Sequence, residues 1–314
     1  MPDARVALEP TGVRAYLADA IRAGGGSVVD VPDANILVWA DPLEPAGLGT
    51  LLDRDSEHKI QWVQLPYAGV EPFASISRGD ANSNSDRVWT CAKGVYAEPV
   101  AEHALTLLLA GLRGLGTYAR ASAWSKPKGE NLVATSTRAK VVILGGGGIT
   151  DSLLRLLGPF DVDVTVVRKH PDPQVSHEVG MDQLDTALDG AMGVVLALAL
   201  TPETTGIIGR AQLERMDPRG WIVNVARGKH IVTDDLVVAL RENRIGGAAL
   251  DVTDPEPLPP GHPLWSLENA IITPHVGNTP EMAVPLLAAR TTENLRRWLA
   301  GEPLIGLVDP RLGY

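Results

Sequence analysis

The chain carries one cysteine, Cys91, in 314 residues. No internal disulfide can form, which points to a reducing compartment. The strand-like context Arg87-Val88-Trp89-Thr90-Cys91 predicts a buried, unreactive thiol. A long apolar run is missing too: the longest, residues 193–200, falls far short of the ~20 residues that a membrane-crossing helix needs. Met1-Pro2-Asp3-Ala4 opens no basic segment leading into an apolar stretch, so no secretory signal is read and a cytoplasmic protein is expected. Positive charge is scarce, with 28 Lys and Arg against 38 Asp and Glu. The net charge of −10 argues against nucleic acid or an anionic membrane as partner. With one cysteine and no histidine pair at ligand spacing beside carboxylates, no metal site is expected.

What is present is an α/β alternation long enough for two domains. Residues 13–23 have helical spacing and stop at Gly24-Gly25-Gly26. Residues 36–39 and 60–65 read as short buried strands, the second followed at once by the glycine turn Pro66-Tyr67-Ala68-Gly69-Val70. A helix starts near Pro99, and residues 100–112 are apolar nearly all round, which implies deep burial or a subunit contact. Residues 122–138 read as a loop. From Lys140 the alternation is regular, with strands predicted at 141–144, 162–167, 194–198, 222–225, 248–250 and 271–272. That pattern predicts a doubly wound parallel sheet with right-handed crossovers. Thr233-Asp234-Asp235 caps a helix running to 242, and Thr279-Pro280-Glu281 starts one running to 299 that returns to the first domain.

Gly145-Gly146-Gly147-Gly148-Ile149-Thr150 lies between a predicted strand and a predicted helix, the setting of a dinucleotide fingerprint. The first glycine permits the tight turn, and the second lets backbone N–H groups approach a pyrophosphate. The third position holds Thr150 instead of the usual glycine, which is expected to push the helix slightly outward. About twenty residues on, where an NAD enzyme places Asp or Glu against the ribose, stand Arg168 and Lys169. Two cations complement a 2′-phosphate, so NADP(H) is expected over NAD(H), with NAD(H) as the lesser possibility.

Arg227, Glu256 and His275 each follow a predicted strand of the second sheet. In parallel α/β sheets ligands bind at the carboxyl ends of the strands, so the three are expected to share a site. Their chemistry suits a small anionic carbonyl compound. Arg227 would bind a carboxylate and polarise the carbonyl. His275 would protonate the oxygen that gains charge, with a neighbouring Glu256 raising the imidazole pKa and fixing its ring.

The segments Asn224-Val225-Ala226-Arg227-Gly228, Leu250-Asp251-Val252 with Pro255-Glu256-Pro257, and Thr273-Pro274-His275-Val276-Gly277 resemble the D-isomer-specific 2-hydroxyacid dehydrogenases. So do Thr201-Pro202-Glu203-Thr204 and Pro99-Val100-Ala101-Glu102-His103, in the family's order over nearly the whole chain. The resemblance implies two doubly wound parallel-sheet domains, a Rossmann cofactor domain (96–284) inserted in a smaller flavodoxin-like substrate domain (1–95 plus 285–314). It implies hydride transfer between NADP(H) and a small 2-hydroxy or 2-oxo acid, glyoxylate or hydroxypyruvate being favoured. Implied cofactor contacts are Gly145, Gly147, Gly148, Ile149, Arg168, Lys169, Thr204, Val225, Ala226, Gly277 and, near the carboxamide, Asp251. The N–H groups of Ala68, Gly69 and Val70 are implied to join Arg227 in binding substrate.

The resemblance also implies a homodimer built on the helix of residues 100–112, where Glu102 and His103 read as packing residues. Trp124 has two readings: it reaches a partner subunit's pocket, as in related hydroxypyruvate reductases, or it covers its own subunit's loop. Glu256 argues against formate oxidation, since formate dehydrogenases of this superfamily carry glutamine there. The short segment after the last helix leaves no room for the regulatory domain of many phosphoglycerate dehydrogenases. One alternative stays open: a dinucleotide-sensing binding protein, like the related transcriptional corepressors that keep the same residues.

Overall fold

A computed structural model describes residues 3–309, apart from 56, 83–85 and 125–138. The predicted loop at 122–138 lies for its greater part outside the described residues. The chain divides into two units, Met1–Tyr96 with Thr279–Tyr314, and Ala97–Asn278.

In the first unit, short apolar runs between turn residues become β1 (Arg5–Glu9), β2 (Ser27–Val28), β3 (Ile36–Trp39), β4 (Trp62–Gln64) and β5 (Val88–Thr90). They form one parallel sheet in the order β2-β1-β3-β4-β5, the flavodoxin-like arrangement. Every residue of β3 and β4 is buried, as a sheet covered on both faces requires. The helices are α1 (Leu17–Ala23), α2 (Pro45–Asp53) and α3 (Ala74–Asn82). The helix expected from residue 13 starts only at Leu17, because Arg14 has a left-handed φ of 49° that interrupts it. The C-terminal helix (Pro280–Ala300) packs here, burying Leu287 and Leu295 with Val6, Ile21 and Ile36. Its Trp298 stacks on Trp62 with ring centroids 5.7 Å apart. The expected boundary at 284/285 would cut this helix. The division falls instead at 278/279, where the Thr279 side chain caps the helix by accepting from the Met282 amide.

The second unit contains β6 (Lys140–Leu144), β7 (Asp163–Val167), β8 (Glu178–Val179), β9 (Gly193–Leu196), β10 (Trp221–Asn224), β11 (Gly247–Leu250) and β12 (Ala270–Ile272). Its sheet is parallel throughout, in the order β12-β11-β10-β9-β6-β7-β8. The chain works outward from β6 to β8, then crosses back to β9 and outward the other way. The reversal between β6 and β9 is the switch point at which doubly wound sheets open a crevice for ligands.

The helices of this unit are α4 (Ala97–Leu112), α5 (Leu115–Ala119), α6 (Gly148–Leu157), α7 (Leu184–Leu188), α8 (Arg210–Leu213) and α9 (Thr233–Arg241). Side chains alternate across β6. Val141 and Ile143 join Leu107, Leu108 and Leu153 of α4 and α6 on one face. Val142 and Leu144 join Leu236 and Leu240 of α9 on the other. The close approach of α4 to β10 depends on Gly111, where a Cβ would lie 2.3 Å from the Trp221 ring. Among the described residues no helix is long and apolar enough to cross a membrane.

Candidate active site

Arg227, Glu256 and His275 follow β10, β11 and β12, three neighbouring parallel strands, so all three leave the same edge of one sheet. At the usual strand spacing β10 and β12 are about 10 Å apart. Asn224, fully buried at the end of β10, pins the first turn: its amide donates to Arg227 O and accepts from Ala226 N–H. Gly228 brings this turn against the Glu256 loop, since a Cβ there would lie 2.0 Å from the Thr253 carbonyl. The Arg227 guanidinium donates to the Ala226 carbonyl and has further partners. His275 Nδ1 lies 2.7 Å from Glu256 Oε1. A carboxylate can only accept, so Nδ1 carries the proton and Nε2 is the atom left to face a ligand. Both side chains are accessible, 55% and 41% exposed.

Asp251 supports this pair from beneath. Its buried carboxylate accepts from Thr273 Oγ1 at 2.6 Å and from the N–H groups of Val276 and Gly277 at 2.8 and 2.9 Å. His103 Nε2, on α4, stands 3.3 Å from the same carboxylate and 3.1 Å from Thr273 Oγ1. Burial pushes the Asp251 carboxyl up, but the hydrogen bonds from His103, Thr273 and the two amides outweigh it and hold it at about 2. His103 is therefore more than the packing residue expected, while Glu102 is exposed. The Asp251 acceptors and the Gly277 amide are both occupied in fastening the loop that carries His275.

The glycine loop opens α6 at the switch point. Gly145 has φ 116° and lies against β9, where a Cβ would sit 2.4 Å from the Ala197 carbonyl. Gly147 faces open space, and the first amides of α6, from Gly148 and Ile149 on, have no intrahelical acceptor. This cradle fits the pyrophosphate of a dinucleotide. Thr150 is buried, and its hydroxyl donates to Gly145 O at 2.7 Å, closing the turn with a hydrogen bond where glycine would close it by contact.

Arg168, at the end of β7, lies over Gly146, but its guanidinium is paired at 2.8 Å with Glu178 on the neighbouring β8. Bonds from the Asp172 N–H and Arg168 hold the Glu178 carboxyl below its ordinary range. The two free cations expected there are thus one neutralised arginine and the exposed Lys169, which makes no ion pair among the described residues. The Thr204 hydroxyl is consumed inside its own loop, accepting from Thr201 N–H and donating to Ala199 O. Val225 and Ala226 are buried, with their amides bonded to Leu196 O and Asn224 Oδ1.

Sequence reading missed His230. It is fully buried between Thr204 O, 3.0 Å from Nδ1, and Leu198 O, 3.2 Å from Nε2. It ties the loop after β9 to the turn that carries Arg227.

Ala68, Gly69 and Val70 follow β4 in the first unit, and their three amides donate to no other group of the described residues. Cys91 is buried, burial pushes its thiol up, and its Sγ lies 3.8 Å from Ala68 O. Trp124 is 97% exposed and directly precedes residues 125–138, which lie outside the described ones. Among the described residues no cluster could hold a metal ion.

The profile of the D-isomer specific 2-hydroxyacid dehydrogenase NAD binding domain matches residues 105–277. An uncharacterized protein encoded in the proB 3′ region of Corynebacterium melassecola is 38% identical over 94% of this chain and 95% of its own length. Glyoxylate/hydroxypyruvate reductase A of Photorhabdus laumondii is 36% identical, over 55% of this chain and 56% of that reductase, so the match spans about half of it. The crystal structure of a D-isomer specific 2-hydroxyacid dehydrogenase from Xanthobacter autotrophicus Py2, in complex with NADPH and MES, superposes with a TM-score of 0.78. It is 25% identical and the match covers 100% of both chains. With its glycine cradle at the switch point and its histidine–glutamate pair at the same sheet's edge, the chain belongs to the D-isomer specific 2-hydroxyacid dehydrogenases, a family of NAD(P)-dependent oxidoreductases.

Proposed function

We propose that this chain reduces a small 2-oxo acid to the 2-hydroxy acid, with glyoxylate or hydroxypyruvate as substrate and NADPH preferred over NADH. The observation that carries this reading is the 2.7 Å bond between His275 Nδ1 and Glu256 on the sheet edge that also carries Arg227. The bound nicotinamide supplies the hydride. Arg227 orients the substrate carboxylate and draws charge toward the carbonyl oxygen, a planar fork against a planar anion. His275 holds a proton on Nε2 and gives it to that oxygen as charge develops. Glu256 keeps Nδ1–H in place, so the ring stays in the productive tautomer throughout.

Gly145, Gly147, Gly148 and Ile149 offer the pyrophosphate cradle, and Thr204, Val225 and Ala226 frame the loops beside it. Asp251 and Gly277 act by holding the His275 loop. The unengaged amides of Ala68, Gly69 and Val70 are anion donors on the first unit. Arg168 and Lys169 favour a 2′-phosphate, the NADPH-bound relative from Xanthobacter supports that reading, and the pairing of Arg168 with Glu178 moderates it. The apolar surface at Leu115, Tyr118 and Trp124, just beyond α4, supports a homodimer through that region.

The test is oxidation of NADPH and of NADH by the purified chain across a panel of 2-oxo acids. Turnover of glyoxylate or hydroxypyruvate with a lower KM for NADPH is expected. A folded protein that binds NADPH and turns over none of them would make it a dinucleotide sensor instead.

A further inference from the structure

Proton delivery from His275 makes no use of His103, yet this imidazole touches the segment that carries the donor. Both residues belong to the second unit. The protonation of His103 follows from its neighbours. Asp251 is ionised, its carboxyl held at about 2, so both of its oxygens only accept. The 2.6 Å bond from Thr273 Oγ1 to Asp251 Oδ1 therefore takes the one hydrogen of that hydroxyl. Thr273 Oγ1 is left as an acceptor, and its other hydrogen-bond partner among the described residues is His103 Nε2, at 3.1 Å. Asp251 Oδ1 lies 3.3 Å from the same nitrogen. Without a hydrogen, Nε2 would set its lone pair against two acceptors. Nε2 thus carries the proton and shares it between the threonine and the carboxylate.

Thr273 and Asp251 in turn hold the backbone of the donor. The His275 N–H is shared between Asp251 O at 2.8 Å and Thr273 O at 3.0 Å. The Asp251 carboxylate takes the next two amides, those of Val276 and Gly277. His275 is bracketed on both sides, and its φ of 55° is the conformation that this bracket enforces. These bonds only tie the ends of β11 and β12 to each other. His103 adds a support from outside the sheet. It stands on α4, whose Ala101, Ala104 and Leu108 are buried with Val195, Val223 and Ala249 of the strands. The turn packs on its ring, since a Cβ at Gly277 would lie 3.5 Å from His103 Cδ2.

We propose that His103 is a positioning residue for the proton donor: bonded to Thr273 and Asp251 from α4, it fixes the backbone that aims the His275 ring. This rests on the proposed reduction of 2-oxo acids and adds to it a residue that acts through others.

The experiment uses the full chain and three variants. His103→Gln keeps a side-chain N–H near the place of Nε2, His103→Leu fills similar space without a donor, and His103→Asn is too short to reach. Each is assayed for reduction of glyoxylate and hydroxypyruvate, and for amide hydrogen exchange at Val276 and Gly277 without substrate. In His103→Leu and His103→Asn kcat falls about 10- to 100-fold with KM for the oxo acid little changed, as expected for a misplaced donor. The two amides exchange about tenfold faster relative to those of β6 and β10, because the opening is local. His103→Gln recovers most of both. If His103→Leu does not fold, the Gln and Asn variants carry the same comparison. Wild-type kcat in the variants that lack the donor, or a His103→Gln no better than they are, overturns the positioning role and leaves the reductase standing. So does exchange that quickens equally throughout the chain, the mark of a residue that only supports the fold. A wild type that reduces no 2-oxo acid sinks the reductase, and exchange then decides the clamp alone. Local quickening that Gln reverses keeps it, and unchanged exchange removes it.

Discussion

His275 holds φ 55°, a left-handed backbone that costs a non-glycine residue about 1–3 kcal/mol unless its surroundings over-determine it. Asp251 is what over-determines it, through Thr273 on one side and the amides of Val276 and Gly277 on the other. The folded-state pKa of Asp251, about 2, lies below its ordinary value of 3.8, so the carboxylate stabilises the fold at neutral pH. That contribution is present above pH ~4 and is lost as pH falls toward ~2. Asp251→Asn should cost roughly 2 kcal/mol at pH 7, and the difference from wild type should vanish near pH 2, read by denaturant unfolding across pH. A constant difference over that range would contradict it.

Replacing Glu256 by Gln leaves the shape but lets the side chain donate to Nδ1, which permits the wrong imidazole tautomer. kcat should fall roughly 10²-fold or more, with KM for the oxo acid little changed. His275 and Glu256 were legible in the sequence because each sits in a short segment that follows an apolar strand. His103 was not. It meets Thr273 across 170 residues, and neither helical periodicity nor a local motif encodes such a contact.

At the scale of elements, strands read well where β-branched and apolar residues are continuous, as in β3, β6 and β10. β1, α2 and α3 went unread. β1 is Arg-Val-Ala-Leu-Glu, short and charged at both ends, while α2 carries Gly47 and Gly49 and α3 carries Gly79, each weakening helix propensity. Only tertiary packing makes them regular. α4 meets β10 at Gly111, so Gly111→Ala would press a methyl group into the rigid Trp221 ring. A loss of about 1–3 kcal/mol in thermal unfolding is expected, and an unchanged Tm would show that this interface gives freely.

The His230 ring stands between the carbonyl groups of residues 198 and 204, and its neutral form donates to one of them, tying the loop after β9 to the turn that carries Arg227. His230→Leu should raise KM for NADPH about tenfold while the protein stays folded by circular dichroism. An unchanged KM would mean that the loop after β9 keeps its shape without the ring.

Across the whole molecule, the doubly wound architecture and the edge that carries the catalytic candidates followed from element order alone, because parallel strands put all their carboxyl ends on one side. Charge beyond β7 was read only in part. Glu178 stands ten residues beyond Arg168, on a two-residue strand with no hydrophobic signature, yet it neutralises the guanidinium. Glu178→Gln should therefore strengthen NADPH binding about tenfold and leave NADH binding near its original value. Equal shifts for both nucleotides would count against a 2′-phosphate at Arg168.

The central claim is proton delivery from His275 to a reduced carbonyl oxygen. It is tested most directly by steady-state NADPH oxidation with glyoxylate or hydroxypyruvate, wild type against His275→Ala, with NADPH affinity measured in parallel. A kcat lower by ~10²-fold or more at unchanged NADPH affinity is predicted. Equal turnover by the two proteins would contradict it.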